Sequence, residues 1–223
     1  MIVSILLIVL AVITLSFFIF KNGVSNTVSV PKQFVPIIFN DQSTFIEVSA
    51  LNRDEIIQTV LNEVNATKVK VGGVEGIYPT ENNQMIGLRR FIALITSSFV
   101  PGDNTLFVND NFLMGAVNND FFILLKVRST ADVFNSLRLW EPKLLTDLHG
   151  FFGIDVSSGT SYLFKKEFQD GIVENKNARI LYDNNGKIVV MYIFADDNSV
   201  IITGSQESAH EIVLRLASGQ TKQ

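Results

Sequence analysis

The hydrophobic pattern separates an apolar N-terminal segment from a longer region of short strand-like and helix-like patterns. Only three of the first 20 residues are polar, and none has a charged side chain. A helix over Ile2–Phe20 would be about 29 Å long at 1.5 Å per residue, which matches a bilayer hydrocarbon core of about 30 Å. The pattern predicts a transmembrane anchor at residues 1–20, with the lipid bilayer as the partner of residues 2–20.

Two other interpretations of this segment fit less well. A cleaved signal peptide has a basic start, a shorter apolar core and small residues at its cleavage site, whereas this core ends in Phe17–Lys21. A core helix of a globular domain is rarely apolar on every face. Residues 21–41 are then predicted to form a stalk, because they contain Pro31, Pro36 and many small polar residues without a helical period.

The first half of the remaining chain alternates predicted strands and helices. Asn52 and Glu55 have the spacing of a capping box, and they precede a helix whose apolar face runs from Ile56 to Val64. The run Phe121–Leu125 is continuously apolar, which predicts a strand buried on both faces. The other strands predicted here are 43–48, 67–78, with a bulge or bend at Gly72 and Gly73, and 112–117. The other predicted helices are 87–98 and 130–149, and the second of these is capped by Ser129 or Thr130, interrupted by Pro142 and ended by Gly150.

The C-terminal third is predicted to form an antiparallel meander. Asn185-Gly186 is the strongest hairpin signal in the chain, because both residue types tolerate a tight turn with positive φ. The predicted strands are 162–173, 177–183, 187–194 and 198–203, and a helix capped by Ser205 follows them. The predicted fold is α+β: an N-terminal transmembrane helix, one globular domain at 42–217 with a mixed, mostly antiparallel sheet and packed helices, and a flexible tail at 218–223.

Composition excludes several classes of site. The chain has 223 residues, a formal net charge of −4, two histidines and no cysteine. Without cysteine there is no disulfide, thiolate nucleophile, iron–sulfur cluster or cysteine-ligated zinc. The acidic balance argues against nucleic acid as a partner.

One group of residues has the chemistry of a catalytic site. Asp147 and Glu141 lie close in sequence to His149, and a carboxylate beside a histidine can act as a general-base pair. A histidine in the last turn of a helix also suits the partial negative charge of the helix end, which is the simpler explanation. On that explanation, replacing Asp147 or His149 costs about 0.3–1 kcal/mol of stability and leaves the biological role intact.

The remaining motifs are weaker. His210 lies beside glutamates near a helix start, which is typical of a surface residue. Asp183–Gly186 resembles a fragment of a calcium loop, but it lacks the loop's length and final bidentate glutamate. The glycines at 72–76 are not followed directly by the helix that a phosphate cradle requires. The sequence therefore predicts no catalytic, cofactor-binding or metal-binding residue and no cofactor.

Phenylalanine is unusually frequent, with 18 in the chain. Most of these residues, including Phe134 of the helix predicted at 130–149, fall on inward positions of predicted strands and helices, which indicates an aromatic core. Phe107, Phe151 and Phe152 fall in predicted loops, where they would form an exposed patch for a partner.

Several short runs together resemble a group of uncharacterised single-pass membrane-anchored proteins of small-genome bacteria. The runs are Phe112–Gly115, Phe122–Lys126, Trp140-Glu141, Phe168–Asp170, Asn175–Asp183 and Ile201–Thr203. The resemblance covers most of residues 40–217. It implies one membrane span followed by a domain outside the cytoplasm, and it brings no activity, cofactor or catalytic residue.

The anchor, the stalk and the lack of a convergent polar site favour a non-enzymatic domain tethered to the outer side of the bacterial cytoplasmic membrane. Such a domain would bind an unknown protein partner in envelope or surface-complex assembly. Two alternatives stay open: a hydrolase that acts on envelope material through Glu141, Asp147 and His149, and a regulatory domain that faces the cytoplasm. The second alternative is favoured by Lys21 and Lys32, because positive charges beside a span mark its cytoplasmic side.

Overall fold

The computed structural model describes residues 35–101 and 107–220, without the side chains of residues 107–109 and 220. The predicted anchor at 1–20, most of the predicted stalk, and residues 221–223 lie outside the described residues. Among the helices of the described ranges, none has both the length and the apolar character needed to cross a membrane.

The described residues contain four α-helices, two short 3-10 helices and nine strands. The helices are α1 (Arg53–Ala66), α2 (Leu88–Leu94), α3 (Thr130–Leu148) and α4 (Gln206–Gln220), with 3-10 turns at His149–Phe152 and Ser161–Lys165. The strands are β1 (Gln42–Glu47), β2 (Val74–Glu81), β3 (Gln84–Met85), β4 (Phe107–Val117), β5 (Asp120–Val127), β6 (Gln169–Val173), β7 (Lys176–Tyr182), β8 (Ile188–Asp196) and β9 (Ser199–Thr203).

All nine strands form one sheet in the order β1-β2-β4-β5-β9-β8-β7-β6, and β3 pairs with β2 outside this path. The β1–β2 pair is parallel, and every other pair is antiparallel. A parallel pair requires a crossover connection, which α1 supplies between β1 and β2. The prediction of an α+β domain with a mixed, mostly antiparallel sheet is confirmed.

The helices cover the two faces of this sheet unequally. The larger core lies between one face and α1, α2 and α3, and a smaller core lies under α4 on the opposite face. Strand β5 contributes to both, since Phe121 and Ile123 belong to the first core and Phe122 and Leu124 to the second. The prediction that this strand is buried on both faces is therefore confirmed.

The sequence signals next to α1 predicted this helix correctly. The side chain of Asn52 accepts hydrogen bonds from the backbone N–H groups of Asp54 and Glu55, and Glu55 accepts one from the backbone N–H of Asn52 at 2.8 Å. This is the predicted capping box, which satisfies N–H groups that a helix start otherwise leaves without partners.

Two predicted strands were wrong over part of their length. The strand predicted at 67–78 begins only at Val74, because a turn at Lys70–Gly73 interrupts it, with Gly72 at φ +75° and the Gly73 N–H bonded to the Lys70 carbonyl. The strand predicted at 162–173 starts at Gln169, because the preceding residues form a 3-10 turn that buries Leu163 against the larger core.

Two predicted helices end differently from expectation. Helix α2 stops at Leu94 rather than near residue 98, since Thr96 has a positive φ of 50°. Helix α3 runs through Pro142 to Leu148 and passes into a 3-10 turn, so Gly150 does not end it. Gly153, with a left-handed φ of 64°, ends the turn instead.

The packed domain extends beyond the predicted boundaries at residues 42 and 217. Ile38 is buried in the core under α4, and the Asp41 carboxylate accepts hydrogen bonds from the Val74 N–H and from Arg215, both at 2.9 Å. At the other end, α4 continues to Gln220, past the predicted start of the tail at Ser218.

Candidate functional site

An open groove of about 630 Å³ lies between the first turns of α3 and strands β6, β7 and β8. Strand β6 is the last strand of the sheet on this side, and within residues 35–101 and 107–220 no strand pairs with its outer edge. The groove therefore lies between the flank of a helix and a sheet edge whose outer backbone groups are not paired by any described strand.

Apolar side chains form much of the groove wall. Phe134 of α3 packs against Phe194 of β8, with ring centroids 5.7 Å apart, and both line the groove. Ile172 on β6 also lines it and is 74% exposed. Since Phe134 is exposed as well, the groove presents apolar surface that the described residues do not cover.

Arg179 is fixed at the groove by contacts with α3, with β6 and with the residue that precedes β6. Its side chain is only 8% exposed, and it pairs with Glu141 through two parallel contacts, Nε–Oε1 at 2.9 Å and Nη2–Oε2 at 3.0 Å. It also donates from Nη2 to the Phe168 carbonyl at 2.7 Å and from Nη1 to Asp170 Oδ1 at 2.8 Å. Two-pronged contact with a carboxylate is the strongest arrangement open to a guanidinium.

Glu141 is the centre of this charge cluster. The Tyr192 hydroxyl donates to Glu141 Oε1 at 2.6 Å, and Arg138 lies 3.8 Å from the same oxygen. Hydrogen bonding to Glu141 raises the pKa of Arg179 above its usual range, and burial, together with the Glu141 contact, raises the pKa of Tyr192 far above its ordinary value. Both donors therefore keep their protons at any physiological pH.

Asp170 is the exposed member of the cluster. Its side chain is 92% exposed although it contacts Arg179, and solvent-exposed ion pairs contribute little to stability. Because β6 and β7 are antiparallel with Asp170 opposite Arg179, this carboxylate stands at the rim of the groove, where an incoming ligand can contact it.

The structure does not bring the three sequence candidates Glu141, Asp147 and His149 together. No hydrogen bond or ion pair joins any two of them in the described part of the chain. Glu141 contacts β7 and β8, as above, whereas Asp147 contacts the loop after α2 and His149 contacts the loop after α3. Each of the three side chains makes its hydrogen bonds to a different part of the fold.

Asp147 is a buried structural carboxylate rather than an exposed charge at a helix end. It accepts hydrogen bonds from Trp140 Nε1 at 2.7 Å, from the Ser98 backbone N–H at 2.7 Å, from Ser97 Oγ at 2.9 Å and from Ser98 Oγ at 3.1 Å. The predicted cost of 0.3–1 kcal/mol for its replacement was therefore based on the wrong environment, since four donors lose their acceptor when Asp147 is removed.

His149 serves a local structural role. Its Nδ1 lies 2.7 Å from the Ile154 carbonyl oxygen, so Nδ1 carries the proton and donates. The edge of its ring also packs against Phe164. This side chain closes the turn that follows α3.

The other sequence motifs are also accounted for by local structure. Asp183 accepts from the backbone N–H groups of Asn185 and Lys187, both at 2.8 Å, which confirms the predicted hairpin. His210 contacts Glu174 at 2.7 Å instead of the glutamates of its own helix, and this contact raises the pKa of His210. In the part of the chain that the structure describes, no three histidine, aspartate or glutamate residues are grouped to hold a metal ion.

The predicted phenylalanine patch was wrong for the two residues that the structure describes. Phe151 is fully buried, and Phe152 is partly buried against Phe121, with ring centroids 5.4 Å apart. The 3-10 turn after α3 directs both rings into the larger core. The side chain of Phe107 lies outside the described residues.

The sequence interpretation missed Arg179 and misjudged Phe134. Arg179 has the same strand parity as Leu181, a core residue, so a charged residue occupied an inward position. That was a usable signal for a buried ion pair. Phe134 was predicted to face inward, and it is exposed because α3 leaves the outer strands uncovered at this end.

Comparison of the chain with protein-family models, curated proteins and solved structures finds no match.

Proposed function

We propose that this protein is a membrane-tethered, non-enzymatic domain that binds an extended segment of a protein partner in the groove beside β6. It would do so outside the cytoplasm, in the assembly of envelope or surface complexes.

The free edge of β6 beside exposed apolar side chains is the observation that carries the proposal. An extended peptide can add a strand to such an edge, where backbone hydrogen bonds supply affinity and neighbouring side-chain sites supply specificity. Natural proteins usually protect edge strands with charged residues, above all lysine, with proline or with a covering segment. Strand β6 reads QDGIV and carries the exposed Ile172, and its one charged residue, Asp170, is paired with Arg179.

The Arg179 cluster supports the same function by fixing the shape of the groove. Through Glu141, Phe168 and Asp170, Arg179 connects the helix wall of the groove to its strand wall. A site held in its binding shape before the ligand arrives loses less conformational entropy on binding.

The membrane part of the proposal comes from the apolar segment at 2–20 and the proline-containing stalk. The stalk favours a domain lifted away from a membrane surface, whereas Lys21 and Lys32 favour the cytoplasmic side. Protease added to intact spheroplasts should cut near Lys21–Lys32 and release the domain. Protection until the membrane is opened would instead favour the cytoplasmic regulatory alternative.

The separate partners of Glu141, Asp147 and His149 support a binding role over hydrolysis. A hydrolase needs an acid or base whose reactive atoms face a common substrate position, and these side chains bond to three different segments of the fold.

A selection of random peptides against the full-length chain in lipid nanodiscs tests the binding role. We expect selected peptides to slow hydrogen exchange of the β6 amides and to lose binding in Ile172→Asp. Leu139→Asp is the matched control, because Leu139 is an apolar residue of α3 that is 83% exposed and does not line the groove. Peptides that bind equally well to both variants, or that protect another part of the chain, would exclude this groove as the docking site.

A further inference from the structure

A second buried acidic group lies at the opposite end of the sheet, under α1. Glu75 on β2 is 0% exposed. Its Oε1 accepts hydrogen bonds from Thr44 Oγ1 at 2.6 Å and from Gln42 Nε2 at 3.1 Å, whereas its Oε2 is buried with no hydrogen-bond partner. A buried carboxylate oxygen without a donor is costly, so this arrangement needs a further explanation.

Glu63 of α1 supplies the missing group. Its half-buried carboxyl lies within hydrogen-bonding reach of the Glu75 carboxyl and of Thr44. Burial and the charge of Glu75 raise the pKa of Glu63, because a buried carboxylate beside a like charge is disfavoured in its ionised form. A proton on Glu63 removes the repulsion and provides the donor that Glu75 Oε2 lacks.

The surroundings contain little else that can neutralise the pair. Strand β1 contributes the neutral Gln42 and Thr44, and Ala116 of β4 lies opposite Glu75 in the sheet register. Lys68, after the end of α1, lowers the pKa of Glu63, but burial and the charge of Glu75 are stronger and leave that pKa raised.

We propose that Glu63 carries a proton and donates it in a hydrogen bond to Glu75, and that this contact fastens α1 and β1 to β2. The pair contacts all three elements, since Thr44 and Gln42 belong to β1, Glu63 to α1 and Glu75 to β2. Loss of the proton leaves two negative charges facing each other under α1 and loosens β1, the strand nearest to the predicted stalk. This device is independent of the groove, which lies at the other end of the sheet.

The direction of the pH effect follows from linkage. Glu63 binds its proton more tightly in the folded protein than in the unfolded chain, because its pKa is raised on folding. The contribution to stability is therefore complete below the ordinary pKa of a glutamate and is lost as the pH rises through the raised value.

Hydrogen exchange of the full-length chain in nanodiscs of neutral lipid tests this proposal. After correction for the intrinsic exchange rate, we expect protection of β1 to fall roughly threefold to tenfold between pH 5 and pH 8. Glu63→Gln should remove most of this fall, because an uncharged amide donates to Glu75 at every pH. Glu75→Gln should also remove most of this fall, and this variant replaces Glu63→Gln in the test if Glu63→Gln folds poorly.

Glu167→Gln is the matched control, because Glu167 is an exposed glutamate outside this cluster. It should behave as the unmodified chain does, and it leaves in place His210 of α4, whose pKa is raised by Glu174. Equal pH dependence of β1 in the unmodified chain and in both Gln variants would overturn the proposal. A change in β1 protection on adding magnesium, calcium or a chelator would also overturn it, because a metal ion and not a proton would then hold the pair.

Discussion

Glu141 and Glu75 are carboxylates on the same side of the sheet, 11% and 0% exposed, and they are neutralised in different ways. Glu141, at the groove, receives a two-pronged contact from Arg179 and a hydroxyl donor from Tyr192. Glu75, at the other end, has two neutral donors on one oxygen and a second carboxyl, from Glu63, near the other.

Because of this difference, a change of pH can act on one end of the sheet and not on the other. A guanidinium keeps its charge at every accessible pH, so Arg179 does not release Glu141 as the pH rises. The proton on Glu63 is lost as the pH rises, so the contact at β1 is conditional. We expect the groove to keep its shape over a pH range in which the β1 end loosens.

Arg179→Met is expected to give the largest effect, because it removes both close contacts from Glu141 and leaves only Arg138, 3.8 Å away and 43% exposed, as a nearby cation. Breaking a buried ion pair in this way costs about 3–5 kcal/mol. Urea unfolding followed by tryptophan fluorescence measures it, since the single tryptophan, Trp140, is buried in the larger core.

The control for this change is Arg128→Met, which removes an arginine that pairs with Asp132 on the exposed surface at 2.8 Å. Surface pairs contribute about 0–1 kcal/mol. If both arginine variants lose the same small free energy of unfolding, Glu141 is not dependent on Arg179 and the contrast with Glu75 fails.

Asp147→Asn should give the next largest loss of unfolding free energy, about 2–3 kcal/mol. The buried carboxylate accepts four hydrogen bonds, and in the variant an NH₂ group would face some of those donors in place of an oxygen. His149→Ala, which removes one hydrogen bond to a carbonyl, should cost about 1 kcal/mol. Thermal unfolding of the two variants side by side checks the order. Equal losses for the two would contradict the structural role assigned to Asp147.

Tyr192→Phe is expected to cost about 1 kcal/mol, because it removes one donor to Glu141 while the Arg179 contact stays. The urea midpoint at pH 6 and at pH 8 measures this change. The loss should be the same at both values, since neither Arg179 nor the tyrosine hydroxyl titrates there. A loss that depends on pH in this range would mean that the groove end is not held by a permanent charge.

Glu63→Gln should change the free energy of unfolding least, and it should raise that free energy, whereas the other variants lower it. At pH 8 the variant should unfold at a slightly higher urea concentration than the unmodified chain, and at pH 5 the two should coincide, because Glu63 is then protonated. A lower midpoint at pH 8 would show that an ionised Glu63 stabilises the fold.

The sequence predicted the elements whose signals are local. The capping box at Asn52, the apolar strand at 121–125 and the turn at Asn185-Gly186 each depend on residues a few positions apart, and all three are confirmed. The strands predicted at 67–78 and 162–173 were wrong in part. A turn takes the place of the first predicted strand's start, and a packed 3-10 helix takes the place of the second one's start, although the pattern of apolar and polar residues was compatible with extended backbone there.

The candidate site and the Glu75 cluster could not be predicted in the same way, because their contacts join distant parts of the chain. Glu141 and Arg179 are 38 residues apart, and Thr44 and Glu75 are 31 apart. Such pairs depend on the sheet order and strand register. The order β9-β8-β7-β6, which leaves β6 at the edge beside α3, is a property of the whole sheet.

A carbon-13 NMR titration of the glutamate carboxyl groups tests most directly whether one end of the sheet is held by a proton. With the full-length chain in nanodiscs, the Glu63 signal should titrate above the ordinary glutamate range, because burial and the neighbouring Glu75 raise its pKa. In Glu75→Gln the titration of Glu63 should move toward the ordinary range, because the neighbouring charge is gone. If Glu63 instead titrates near the ordinary glutamate value and Glu75→Gln leaves it unchanged, Glu63 donates no proton to Glu75 and the contrast between the two ends of the sheet is wrong.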